Sequence, residues 1–199
     1  MNAPTTSPRL ARPLRLPLGV VSEDPEWGEA RYPNGEHADR FALRWRALDA
    51  SGPRVAFIGI NPSAASHLVA DATLIRCWGF TKAWGRSDLT MLNLFSARGT
   101  EPSCLLDYAG PVANVDRVAS IAQQVHASGG VVVAAWGAVP SGRLGQVVRA
   151  RIDVVCDALA EARVRLFALA TTKDGMPRHP LMVLNGVLLS PWTRPAAPW

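Results

Sequence analysis

Asn61 and His179 are the two residues of this chain whose surroundings most suggest chemistry. Asn61 closes the apolar run Val55-Ala56-Phe57-Ile58-Gly59-Ile60 and is followed at once by Pro62 and Ser63. His179 lies far downstream, directly before Pro180 and Leu181 and shortly after another apolar run. A carboxamide offers one acceptor and two donors, so an Asn in a crevice can read the edge of a planar ring such as a pyrimidine. Asn has no useful basicity, so in a hydrolysis it orients a water and does not deprotonate it. A neutral His can donate a hydrogen bond to a developing anion.

Two further apolar runs end in special residues. Residues 89–95 contain Asn93 and lead to Ser96, Arg98 and Thr100, and residues 131–136 end at Trp136-Gly137. Each signal has a plainer reading taken alone. Asn-Pro-Ser serves as a turn or cap, because Asn and Ser bond their own backbone. Asn93 serves as a bridge between strands, Asp71-Ala72-Thr73 as a helix N-cap, and Arg76 and Arg98 as solvated charges. The ordered set carries the information.

The elements that must position these residues are legible in the pattern. Strands are predicted at 54–60, 89–95, 131–136 and 164–169, with a further strand or strand start at 41–45. Helical spacing runs through 68–84, through Val112, Val115, Val118, Ile121 and Val125, and through Val147, Val148, Ile152, Val155 and Leu159. Gly129-Gly130 ends the second helix. Buried strands alternating with helices predict an α/β fold, a three-layer sandwich around a central, mainly parallel four-stranded sheet. Ligands of such sheets bind outside the carboxyl ends of the strands. Residues 1–20, rich in Pro and Arg, are expected to be a flexible tail, and 21–199 a single domain.

The bulk numbers bound the partners. Net charge is +5 and the pI near 9.7, with arginine dominating the basic set. That balance is compatible with a polyanion such as nucleic acid, and equally with a coding bias toward Arg. Three cysteines, Cys77, Cys104 and Cys156, fit no zinc or iron–sulfur spacing, and their odd number argues against a disulfide framework. No apolar run is long enough to span a membrane, and the amino-terminus has no signal-peptide core. A cytoplasmic protein, a monomer without metal or cofactor, is the expectation.

The strand-end motifs, in their order, resemble the uracil-DNA glycosylase superfamily. Gly59-Ile60-Asn61-Pro62-Ser63 is similar to the Gly-Ile-Asn-Pro-Gly motif of the mismatch-specific thymine/uracil branch, whose Asn positions the attacking water. Leu92-Asn93 with Arg98 is similar to the strand whose Asn reads uracil. Residues 131–137 resemble the apolar strand ending in Trp-Gly. His179-Pro180-Leu181 resembles the His-Pro motif that stabilises the departing base and precedes an intercalating loop. At closer range Asn61-Pro62-Ser63, the segments 71–76 and 93–102, Trp136-Gly137 and His179-Pro180-Leu181 resemble a bacterial and phage family, domain of unknown function 1643.

The resemblance implies a DNA glycosylase-like hydrolase acting on a pyrimidine or modified pyrimidine, in repair or modified-base processing, with DNA or a nucleotide as partner. Asn61 and His179 would be catalytic. Gly59, Ile60, Ser63, Asn93 and Phe95 would line the base, with Trp78 and Phe80 as further stacking candidates. Arg76, Arg98, Arg178 and Leu181 would contact nucleic acid. Three departures stand out. Asn61 replaces the catalytic Asp of the uracil-specific branch, Leu181 replaces a Ser, and small Ser63 replaces a bulky Tyr, leaving room for a 5-substituent. The alternatives are a nucleic-acid or nucleotide-binding module without turnover, which keeps the crevice but lacks a carboxylate base, and an enzyme on a free nucleotide or nucleoside.

Overall fold

The computed structural model describes residues 17–23, 42–62, 70–97, 99, 105–106 and 113–196. Strand β1 is Val20–Glu23, β2 Ala42–Ala47 and β3 Val55–Gly59. Helix α1 (Ala72–Ala83) leads to β4 (Asp88–Asn93), α2 (Ala113–Ala127) to β5 (Val131–Ala134), and α3 (Gly142–Glu161) to β6 (Leu166–Ala168). A 3-10 turn at Pro180–Met182 and the short β7 (Ser190–Pro191) follow.

The strands form one sheet in the order β1-β2-β4-β3-β5-β6-β7. β4, β3, β5 and β6 run parallel, and β1, β2 and β7 are antiparallel to their neighbours. The expected sheet of four strands is therefore corrected: the sheet is seven-stranded and mixed, with the parallel four at its centre. The four central strands are apolar enough to announce themselves. β3 is buried along its whole length, as a strand covered on both faces must be. Of the amino-terminal tail expected at 1–20, residues 1–16 lie outside the described residues, and Val20 already begins β1.

Two apolar clusters lie on the two faces. Alternation along β3 sends Ala56 and Ile58 to one cluster and Val55 and Phe57 to the other. The first cluster takes Val115, Val118, Ala122 and Val125 of α2 and Val148, Ile152, Val155 and Leu159 of α3. The second takes Leu74, Cys77 and Trp78 of α1. With Thr81 these make a stripe at i, i+3, i+4 and i+7, the spacing of one helix face. Thr81 is tolerated there because its hydroxyl donates to the Cys77 carbonyl at 2.9 Å.

The connections place a switch point at the middle of the sheet. From β3 the chain passes through α1 to β4 on one side, and from β5 through α3 to β6 on the other. The helices that follow these two adjacent strands lie on opposite faces. A crevice outside the carboxyl ends of β3 and β5 follows from that divergence.

Candidate functional site

Asn61 stands just past β3, where the backbone is held by β4. Leu94 N donates to Gly59 O at 2.9 Å and Phe95 N to Ile60 O at 2.8 Å. The Asn61 Nδ2 donates to Gly99 O at 2.8 Å and to Pro62 O at 3.3 Å, while Gly99 N donates back to Pro62 O at 2.9 Å. Asn61 thus clamps the loop after β4 onto the turn after β3. Its Oδ1 is the acceptor of the same carboxamide.

Asn93 ends β4 opposite Gly59 and is 2% exposed. Met91 belongs to the α1 face and Leu92 to the other, so alternation directs Asn93 to the α1 face. A Cβ on Gly59 would come within 3.0 Å of the Asn93 Oδ1 and 2.9 Å of the Met91 methyl. Glycine at position 59 therefore leaves the space that the Asn93 carboxamide occupies.

Asn114, in the first turn of α2, is a positioning residue that the sequence did not reveal. It is buried, and its Nδ2 donates to the carbonyls of Asn93 at 3.2 Å and Leu94 at 2.9 Å. Its Oδ1 is buried and has no partner among the described residues. No motif signals it, because an Asn near a helix start has an ordinary capping explanation.

His179 arrives on a tight return after β6. Thr172 N donates to Met176 O at 2.7 Å, Thr171 bridges Pro177, and Arg178 N donates to Ala170 O at 2.8 Å. The imidazole then caps the 3-10 turn, its Nδ1 accepting the Leu181 N–H at 3.3 Å. An accepting Nδ1 puts the ring proton of the neutral form on Nε2. Burial pushes the His179 pKa below its ordinary value, against an opposing pull from the Asp71 carboxylate. At neutral pH the ring is an uncharged Nε2–H donor. Gly137, past the end of β5 with φ at +84°, makes room for it: a Cβ there would lie 3.1 Å from His179 Cβ and 3.6 Å from its N.

Two α1 residues border the same edge. Asp71 caps the helix, its carboxylate accepting the Leu74 N–H at 2.6 Å. Arg76 donates from Nε to Pro180 O at 3.4 Å, and from its other nitrogens to Val183 O and the Asn185 side chain. Its guanidinium also lies 4.7 Å from the centre of the Phe80 ring. The side chain expected to meet phosphate is here a brace between α1 and the segment after His179.

The remaining expected site residues fall as follows. Ile60 is half-buried against the α2–α3 cluster. Phe95 is buried in that cluster with Arg151 over its ring at 5.0 Å. Trp78 and Phe80 pack in the α1 cluster, the first edge-on to Trp45 and the second stacked with Trp84. Arg178 is exposed and donates to Thr171 O at 3.3 Å. Leu181 is 46% exposed, and Met182, Leu184 and Leu188 beyond it are more exposed still. Ser63 and Arg98 lie outside the described residues.

Neither described cysteine is set up for thiolate chemistry. Burial raises the Cys77 thiol far above its ordinary range and pushes Cys156 up to about 12, so neither is a thiolate at neutral pH. A separate shallow cavity of about 320 Å³ lies away from the cleft, between α3, β6 and Trp192. Its Arg194 is engaged by Asp153 and Asp157 at 2.9 and 2.7 Å. No helix among the described residues is long and apolar enough to cross a membrane.

Fold and site together define an α/β protein with polar residues gathered at the switch point of its sheet. The chain belongs to the family described as protein of unknown function DUF1643, whose model matches residues 40–181. No curated protein and no solved structure matched the chain.

Proposed function

We propose that the protein is a uracil-DNA-glycosylase-like domain that takes a pyrimidine or modified-pyrimidine base of DNA into this crevice and hydrolyses its N-glycosidic bond. One observation carries the reading. Asn61, Asn93 and His179, brought by β3, β4 and the return after β6, stand at one edge of the sheet, and His179 is a neutral Nε2–H donor there. The departing base carries negative charge, and an aligned N–H donor in a water-poor site stabilises it. Asn61 holds the attacking water through Oδ1, and Asn93 reads the base edge.

Supporting observations come from the surroundings. Four parallel strands with helices on both faces agree with the layering that the motif resemblance implies. Exposed Leu181, Met182 and Leu184 directly follow His179, and apolar wedges of this kind unstack bases when a nucleotide is extruded. Arg178 and the net charge of +5 suit a phosphate backbone.

The test is a panel of single- and double-stranded oligonucleotides carrying uracil and 5-substituted pyrimidines, scored for abasic sites by alkaline cleavage. The expected result is abasic sites at a defined base. Salt-sensitive binding without abasic sites makes the protein a nucleic-acid-binding module instead. Salt-insensitive turnover of free nucleosides moves the substrate out of DNA, since only a polyanion gives a steep salt slope.

A further inference from the structure

We propose that Asp71 is a catalytic residue of this cleft, the acceptor of the proton lost by the water that Asn61 holds. The inference rests on the hydrolytic reading above and names the group that reading lacks. A water that attacks a sugar carbon must lose a proton. The Asn61 carboxamide cannot take it. Nor can His179 as the structure holds it, with Nδ1 accepting from Leu181 N–H and Nε2 carrying the hydrogen. A carboxylate can take it, and Asn61, Asn93 and His179, the polar residues read from the strand ends, include none.

The fold supplies one from the start of α1. The chain leaves β3 just before Asn61 and enters α1 after Asp71, so both sit at the carboxyl edge of the sheet. The bond from Leu74 N at 2.6 Å fixes the Asp71 carboxylate in the first turn. Arg76, on the next turn, bonds to Pro180 O and Val183 O and locks α1 beside the His179 segment. The negative charge of Asp71 reaches His179 across that junction. Asp71 is the charged group that acts on His179, Arg76 bonds to Pro180 O beside it, and the uncharged backbone of Gly137 from the β5–α3 turn lies against its Cβ.

The step balances without further reactants. The water oxygen bonds to C1′ of the sugar while the C1′–N bond breaks. The electron pair of that bond leaves with the base, which accepts a hydrogen bond from His179 Nε2–H. The proton of the water passes to Asp71, and the departing base takes a proton from solvent. The same carboxylate favours the positive charge that gathers on the sugar as the bond loosens.

The decisive variant is Asp71→Asn. Asn caps helices as well as Asp does, so the fold is kept and only the charge is removed. Three readouts are taken: the thermal midpoint, the NMR titration of the His179 ring, and the pH–rate profile of abasic-site formation on the best oligonucleotide of the panel. The expected result is an unchanged midpoint, a His179 titration moved to lower pH, a rate lower by about 10²-fold or more, and loss of the acid limb of the profile. A His179 titration that does not move takes Asp71 out of the cleft. A rate within a few-fold of the parent, or an acid limb that survives, ends its role as acceptor. If the parent protein makes no abasic site on any oligonucleotide, the hydrolytic reading fails and the acceptor role with it, an outcome told apart by the parent alone.

Discussion

The two ends of the central strands handle polarity in opposite ways. At the amino ends, charge meets charge. Arg44 grips Asp88 with two bonds, at 3.0 and 2.6 Å, and Arg54 approaches the same carboxylate at 3.5 Å. At the carboxyl ends, polar side chains hold the main chain instead. Asn61 binds Gly99 O, Asn114 binds Asn93 O and Leu94 O, and Arg76 binds Pro180 O and Val183 O. Ion pairs at the first end join side chain to side chain. Backbone clamps at the second end fix loops while the charge of Asp71 stays within reach of His179. The difference separates an end held by ion pairs from an end held by side-chain bonds to the main chain, which is the end where the proposed function puts the ligand.

Substitutions at each end test that contrast. The largest effect is expected from Asn61→Ala, which removes the water-holding oxygen. Abasic-site formation should fall by about 10²-fold or more, while loss of the bond to Gly99 O costs only about 1 kcal/mol in stability. Equal activity in parent and variant would break the contrast at its centre. Gly137→Ala comes next. It forces a side chain into a backbone at φ +84° and against the His179 Cβ. Urea unfolding should report a loss of about 2 kcal/mol, together with a weaker rate because His179 must move. Asp88→Asn probes the other end. It should cost about 1 kcal/mol, since the pair is partly exposed, and leave the rate unchanged. A rate loss there would mean that the amino end also serves the ligand.

The smallest effect is a pH dependence of stability. The native pKa of His179 lies below its ordinary 6.5, so the unfolded chain binds the proton more readily. No penalty exists above 6.5. Stability falls as the pH drops through 6.5 toward the lowered native value, and the loss is complete below it. Urea midpoints at pH 7.5 and pH 5 should show this drop in the parent and not in His179→Gln. In Asp71→Asn the drop should deepen, because the native value moves further down.

How much of this was legible in the sequence follows from what each element is made of. β3 and β5 were readable because strands buried on both faces must be apolar throughout, and β4 because Leu89, Met91 and Leu92 keep most of its buried run apolar. β1 and β7 were not. Val20–Glu23 is a four-residue edge among Pro and Gly, and Ser190–Pro191 has two residues, one of them unable to donate. α3 starts at Gly142, ahead of the predicted apolar spacing, because Gly142 and Gly145 in its first turns give no helical signal. Asn61 stood out in the sequence because it ends an apolar run, and His179 because it precedes a proline shortly after one. Asn114 breaks no apolar pattern. The roles of Arg76 and Asp71 depend on a segment more than a hundred residues away, a distance over which no local spacing carries information. Phe95, Trp78 and Phe80 show the reverse case: an aromatic near a strand end reads the same whether it meets a ligand or fills the core.

The two-residue β7 has a consequence of its own. It closes the outer side of β6 by pairing Pro191 with Phe167 and Ser190 with Ala168. A proline there presents a ring where another strand would need an N–H. A second polypeptide that tried to prolong the sheet past β7 would find one partner residue and then nothing to bond. The return of the chain to its own sheet thereby works as a stop against strand addition on the side nearest β6, and protects the apolar parallel strands behind it from fibre-like stacking.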